Sequence, residues 1–129
     1  MKRPLLILDL DETLIFSIEK PIEAGHDFKC GEYFVHKRPY LAEFISACAQ
    51  VYEIAVWTSS TARYASCVVE AIFKDVDLAF VWARDRCIKR MDLESHEQYW
   101  VKDLKKVKRR GYDLEQVIIV EDSPRNLER

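Results

Sequence analysis

No stretch of this sequence approaches the roughly 20 consecutive apolar residues that a membrane span needs. The first apolar run, Leu5-Leu6-Ile7-Leu8, is cut at once by Asp9 and Asp11, which also disqualifies Met1-Lys2-Arg3 as the charged start of a signal peptide. Neither sign of charge dominates: Lys and Arg number 20 against 22 Asp and Glu. A net charge of −2 argues against a protein whose main business is coating nucleic acid or an anionic membrane. Glycine (3) and proline (4) are scarce, so collagen-like and low-complexity chains are excluded, and no internal repeat or interdomain linker is visible. The four cysteines, Cys30, Cys48, Cys67 and Cys87, form no C-x-x-C pair and have no histidine at zinc-ligand spacing. Neither a disulfide framework nor a metal knuckle is therefore expected, and a reducing, intracellular setting is, cytoplasmic or, in a eukaryote, nuclear.

What is present is a foldable chain. Its 129 residues, 49% hydrophobic and 33% charged, suit one domain over 1–129 with a single core. Leu5 to Leu8 reads as a strand buried on both faces of a parallel sheet. Phe16 to Lys37 turns polar, with Pro21, Gly25 and Gly31 as breakers around Tyr33-Phe34-Val35, and reads as an irregular insertion carrying a hairpin. Pro39 opens a helix with Leu41, Phe44, Ile45 and Cys48 on one face. Glu53 to Trp57 is a second buried strand, and the hydroxyl run Thr58-Ser59-Ser60-Thr61 can cap a helix striped by Tyr64, Cys67, Val68, Ala71 and Ile72. Ala79 to Trp82 is a third strand, Arg84 to Tyr99 holds a possible second hairpin, and Val101 to Arg110 reads as a short basic helix stopped by Gly111. Val117 to Val120 is a fourth core strand, and Ser123-Pro124 looks like the start of another helix.

Strands alternating with helices predict right-handed βαβ units and a parallel sheet, whose active site lies beyond the carboxyl ends of the strands. Asp9 and Asp11 follow the first strand, Thr58 and Ser59 the second, Glu121 and Asp122 the fourth. Carboxylates gathered this closely need a cation among them or a proton on some of them. Oxygen ligands alone favour a hard ion such as Mg²⁺, completed by water and a substrate phosphate. A carboxylate facing such a phosphate can be a nucleophile, a second carboxyl can protonate the leaving oxygen, and Thr58 and Lys102 can steady the phosphoryl charge. Whether the two side chains of Asp9-Leu10-Asp11 reach one phosphate depends on whether the chain stays extended there, and either geometry is allowed.

Asp9-Leu10-Asp11-Glu12-Thr13 resembles the D-x-D-x-T signature of the haloacid dehalogenase superfamily of aspartate-nucleophile phosphatases. Leu8 to Leu14, Lys37-Arg38-Pro39, Val56 to Ser60, Val101-Lys102-Asp103-Leu104 and Glu121-Asp122-Ser123-Pro124 are similar to its small-CTD-phosphatase, NLI-interacting-factor-like branch, whose known members dephosphorylate the RNA polymerase II tail. The resemblance runs along almost the whole chain in order. It implies a Rossmann-like α/β fold with a hairpin insertion and no large cap, and Asp9 as nucleophile and metal ligand. It implies Asp11 as general acid/base that also offers its main-chain carbonyl to Mg²⁺, Thr58 and Lys102 holding the phosphoryl group with Ser59 secondary, and Asp122 as a metal ligand. Two departures stand out. Glu121 occupies a position where the branch usually has Asp, and the family pattern continues through a further strand and helix beyond Arg129, which implies a cropped chain or an incomplete sheet.

Each motif also has a plain structural meaning: turn acids for Asp9 and Asp11, helix caps for Thr58 and Ser59, solvated charges for Lys102 and the run Lys105 to Arg110. Several motifs ordered at strand ends outweigh it for Asp9, Asp11, Thr58 and Lys102, whereas the run Lys105 to Arg110 reads first as a solvated helix face, with docking of an acidic phosphopeptide as its alternative. The expected activity is Mg²⁺-dependent hydrolysis of a phosphomonoester through an aspartyl-phosphate, with a phosphoserine or phosphothreonine protein or peptide as partner. A small-metabolite phosphatase, a phosphorylation-switch module and a non-catalytic scaffold are the rivals. Asp11 speaks against a switch, because an acid/base beside the nucleophile favours turnover.

Overall fold

The computed structural model describes residues 3–127. The outer limits of the expected 1–129 domain, and Met1 and Lys2 of the rejected signal start, lie outside the described residues. Strand β1 (Leu5–Leu8) is buried along its whole length. Its side chains alternate: Leu6 and Leu8 enter one hydrophobic cluster, Leu5 and Ile7 another on the opposite face. That alternation is why four consecutive apolar residues were needed, each contributing roughly 1.5–3 kcal/mol by burial.

The chain then makes a three-stranded antiparallel sheet from β2 (Ile15–Ile18), β3 (Phe28–Cys30) and β4 (Tyr33–Lys37), ordered β2-β4-β3. The expected hairpin is therefore there, with a third strand added by residues that looked like irregular linker. Helix α1 (Leu41–Val51) starts later than Pro39, because Tyr40 takes a left-handed conformation (φ 64°) and closes a turn in which Leu41 N–H donates to the Arg38 carbonyl at 3.2 Å. Leu41 and Ile45 are buried as expected, while Phe44 is exposed. Strand β5 (Glu53–Trp57) pairs in parallel with β1, and helix α2 (Ala62–Ile72) is capped by Thr61, whose side chain accepts from Tyr64 N–H. The last residue of the hydroxyl run thus does the capping, and the others are free for other work.

Strand β6 (Leu78–Trp82) lies beside β5, a 3₁₀ turn spans Arg84–Arg86, and β7 (Ile88–Met91) pairs with β8 (Gln98–Val101) as the second hairpin. Helix α3 covers only Lys105–Arg109: Val101 belongs to β8, and Lys102 leaves the helix for the site. Strand β9 (Val117–Val120) completes a four-stranded parallel sheet ordered β6-β5-β1-β9. Among the described residues β9 is an edge strand with one face packed and the other open, Ile118 and Val120 being 44% and 38% exposed, so the expectation of a core strand is corrected. Ser123-Pro124 opens a 3₁₀ turn, Pro124–Leu127, where a helix was expected.

The cysteines require a second correction. Cys30 on β3 and Cys67 on α2 form a disulfide, with their Cα atoms 5.9 Å apart. The two lie 37 residues apart in sequence and meet only because the insertion folds back over α2, which no spacing rule could show. Cys48 and Cys87 are free. No helix among the described residues is long and apolar enough to cross a membrane.

Candidate active site

Parallel strands deliver their carboxyl ends to one edge. Asp9 extends the β1 ladder by one residue, its N–H donating to the Val120 carbonyl at 3.1 Å, and it is 6% exposed. The backbone then curls: the N–H groups of Thr13, Leu14 and Ile15 converge on the Leu10 carbonyl at 3.2, 2.9 and 3.2 Å, with the Leu10 side chain fully buried as a pivot. Glu12 is left-handed (φ 64°), and its carbonyl accepts from Arg38 Nη2 at 3.1 Å. A residue without a glycine's freedom is held there by this contact. The curl carries Asp11 out of the ladder. Its Oδ2 accepts from Ser60 Oγ and its Oδ1 from Tyr64 OH, both at 2.7 Å.

Lys102 follows β8 and is 1% exposed. A lysine so enclosed must be paired to stay charged. Its Nζ stands 3.2 Å from Asp9 Oδ1 and also contacts Glu121 Oε2, while its N–H donates to the Asn126 carbonyl at 2.6 Å. Glu121 Oε1 in turn accepts from Ser123 N–H and Asn126 Nδ2, each at 3.3 Å. Asp122 is exposed, and one carboxylate oxygen each from Asp9, Glu121 and Asp122 lie within 4.8 Å of one another. Three carboxylates against one ammonium leave an excess of two negative charges when all are ionised. Burial accordingly pushes the Asp9 carboxyl up from 3.8 to about 8, with Lys102 opposing and Glu121 adding to the rise. One divalent cation would cancel that excess, and an all-oxygen donor set suits Mg²⁺.

Thr58 continues β5, is buried, donates its N–H to the Trp82 carbonyl at 2.9 Å and accepts Ser60 N–H on its Oγ1 at 3.1 Å. Ser59 is half-buried and meets the site through its carbonyl, which accepts from Arg84 Nε at 2.8 Å. The strand ends thus bring Asp9, Lys102, Glu121 and Asp122 into one cluster. Asp11 stands in an adjoining network of hydroxyls.

Three residues around Asp11 were missed in the sequence, two in that network and one lining the groove beside it. Ser60 touches Asp11, where the sequence offered only Ser59, and that as secondary. Tyr64 was read as a core stripe; its ring does pack there, while its hydroxyl reaches Asp11 and contacts Ser17 Oγ. Burial raises the Tyr64 phenol above its ordinary value, and the Asp11 charge adds to the rise. Arg84 lines a groove of about 360 Å³ together with Asp11, Ser60 and Tyr64. Neither carried a signal in the sequence: Tyr64 sits at the helical spacing of a core residue, and Arg84 is one exposed arginine among many.

The family model for NLI interacting factor-like phosphatases matches residues 4–129. The chain belongs to that family. It is 35% identical over 127 residues to a probable C-terminal domain small phosphatase of Dictyostelium discoideum, covering 92% of this chain and 38% of that protein. It is 33% identical over 131 residues to the phosphatase Herzog of Drosophila melanogaster, covering 96% and 35%. The family member therefore spans little more than a third of these curated relatives. Its fold is similar to that of the fission yeast RNA polymerase II CTD phosphatase Fcp1 bound to beryllium fluoride, with TM-score 0.70 and 22% identity over 96% of this chain and 38% of that one.

Proposed function

We propose that this protein hydrolyses phosphoserine or phosphothreonine esters in proteins, by way of a phosphoryl group carried on Asp9. The observation that carries the reading is the pairing of a buried carboxylate, Asp9, with the buried ammonium of Lys102 at 3.2 Å, two residues before a second carboxylate fixed by two hydroxyls. An Asp9 carboxylate oxygen attacks phosphorus, and the bond from phosphorus to the substrate oxygen breaks. That oxygen takes a proton from the Asp11 carboxyl. Asp11, now a carboxylate, removes a proton from water as the water attacks phosphorus, the Asp9–phosphorus linkage breaks, and inorganic phosphate leaves. Thr58 and Lys102 hold the phosphoryl oxygens, and Lys102 balances the charge that develops on them. Asp9, the Asp11 carbonyl and Asp122 would hold Mg²⁺, which supplies Lewis-acid compensation for the phosphoryl charge. Glu121 pairs with Lys102 and aims it at Asp9. Membership in a phosphatase family supports the class of reaction, and the relatives named CTD phosphatases support a protein substrate.

The test is phosphate release from a panel of phosphopeptides and small phosphate esters, with and without Mg²⁺. Asp9→Asn should abolish release while leaving the circular dichroism spectrum unchanged, because an amide is no nucleophile. Asp11→Asn should stop turnover yet still transfer phosphoryl to Asp9 from an ester with a good leaving group. Turnover by Asp9→Asn near the parent rate would refute the mechanism.

A further inference from the structure

The 3₁₀ turn Arg84–Arg86 presents two arginines to two different places. At three residues per turn, positions two apart point to different sides while advancing only about 4 Å along the axis. Arg84 lines the groove that holds Asp11. Arg86 lines a second groove, of about 350 Å³, together with Trp82, Lys106, Arg109 and Arg110. This second groove has four cations and an indole and no acidic residue, on a chain whose net charge is −2.

Arg86, Lys106 and Arg110 are held in place by rings and main-chain carbonyls, Arg110 Nη2 donating to the Ala79 carbonyl at 3.4 Å, and none of the groove's four cations is in one of the ion pairs among the described residues. The Arg86 guanidinium lies over the Trp82 ring at 5.1 Å, and that of Arg110 over the Phe80 ring at 5.3 Å. Both rings are buried. Stacking fixes a guanidinium plane while leaving in-plane N–H donors for a carboxylate or phosphate fork. Lys106 Nζ donates to the Arg86 carbonyl at 3.0 Å, which fastens α3 to the 3₁₀ turn and so fixes the groove's width. Among the described residues, ion pairs engage only Lys102 and Arg125. A helix face of merely solvated charges would need neither the aromatic floor nor the clamp.

We infer that this groove docks an acidic segment of the phosphoprotein substrate, a few residues along the chain from the phosphorylated side chain; the inference rests on the phosphoprotein reading above. Asp and Glu carboxylates, or a second phosphorylated side chain, match the arginine forks. Cys87, next to Arg86, donates its thiol to the Thr58 carbonyl at 3.8 Å, so the turn that carries Arg86 adjoins the site. Such a contact is remote from the reacting atoms, so it tightens substrate binding and is read in KM rather than in kcat.

The experiment measures fluorescence anisotropy of a labelled Asp/Glu-rich peptide without phosphate, for the parent and for Arg86→Gln and Arg109→Glu. Arg109 is exposed on α3, so its replacement leaves the packing intact even if Arg86→Gln disturbs Trp82. The expected result is binding that weakens with salt and falls at least fivefold in each variant, with a neutral peptide of equal length not bound. On acidic phosphopeptides both variants should raise KM by a similar factor and keep the parent kcat on p-nitrophenyl phosphate. Equal binding by parent and both variants overturns the inference, as does an oligonucleotide of the same charge binding the groove more tightly than the peptide. If the parent releases phosphate from nothing, the phosphatase reading fails, while the anisotropy still decides the groove.

Discussion

Glu121 and Asp122 are neighbours in sequence and do different work. Glu121 is committed to Lys102, to Ser123 N–H and to Asn126, so its charge is already balanced within the protein. Asp122 is exposed beside Asp9 and keeps its carboxylate for an ion. Titrating Mg²⁺ against phosphate release should show Asp122→Ala raising the half-saturating concentration by about 10–100-fold. Glu121→Gln should lower kcat with a much smaller change in that concentration. An equal shift in both variants would show that the pair shares the ion. Tyr64 poses a parallel question one shell further out, since its hydroxyl donates to Asp11 at 2.7 Å without facing the cluster around Asp9. Removing it in Tyr64→Phe frees Asp11 to swing. We expect kcat on phosphoserine peptides to fall by about tenfold, close to 1.4 kcal/mol of barrier. Aryl phosphates, whose leaving oxygen hardly needs a proton, should lose much less. A uniform loss on both substrates would make Tyr64 a packing residue only.

Elements that depend on their own residues were legible, and elements that depend on distant partners were not. β1 and β5 announced themselves because a strand covered on both faces must be apolar throughout, and the strand ends then located Asp9, Thr58 and the pair Glu121 and Asp122. The edge position of β9 depends on what lies beside it, and the length of α3 on the claim that β8 makes on Val101. Tyr64 shows the same limit at the site, since a ring packed at helical spacing looks identical whether or not its hydroxyl meets a carboxylate. The disulfide from β3 to α2 is the clearest case, and it has a measurable effect. Closing a 37-residue loop reduces the entropy of the unfolded chain, worth about 3–4 kcal/mol in the chain-entropy account. Cys67→Ser, and the parent in reductant, should therefore unfold at a clearly lower denaturant concentration than the oxidised parent. Because Tyr64 lies one turn before Cys67 on α2, activity should decline along with stability. Coincident unfolding curves with and without reductant would mean that the bond constrains nothing.

At the scale of the whole molecule, the question is what lies, among the described residues, over the proposed phosphoryl site. Enzymes that act on small metabolites commonly enclose the substrate under a lid or cap, which excludes water and lets the protein contact the whole ligand. Here the first insertion is a three-stranded sheet bonded to α2 through Cys30–Cys67, so it forms a side wall of the groove at Asp11, to which it contributes Ser17 and Tyr33. The second is the two-stranded pair β7 and β8, whose last residue leads into Lys102 and which packs against the turn Pro124–Leu127. Both insertions are therefore spent on walls, and Asp122 remains exposed beside the buried Asp9. A free sugar phosphate in such a cleft would touch little beyond its phosphoryl group. A phosphorylated side chain on a polypeptide brings flanking residues that can lie along the walls, and each remote contact worth about 1.4 kcal/mol multiplies kcat/KM by ten. We therefore expect at least one phosphoserine or phosphothreonine peptide to exceed every free sugar phosphate and nucleotide in kcat/KM by tenfold or more, in a panel run at fixed Mg²⁺. Lengthening that peptide on either side of the phosphorylated residue should raise kcat/KM further until the walls are filled. A small metabolite that outperforms all the peptides, or a kcat/KM that ignores peptide length, would make this a metabolite phosphatase with an open cleft.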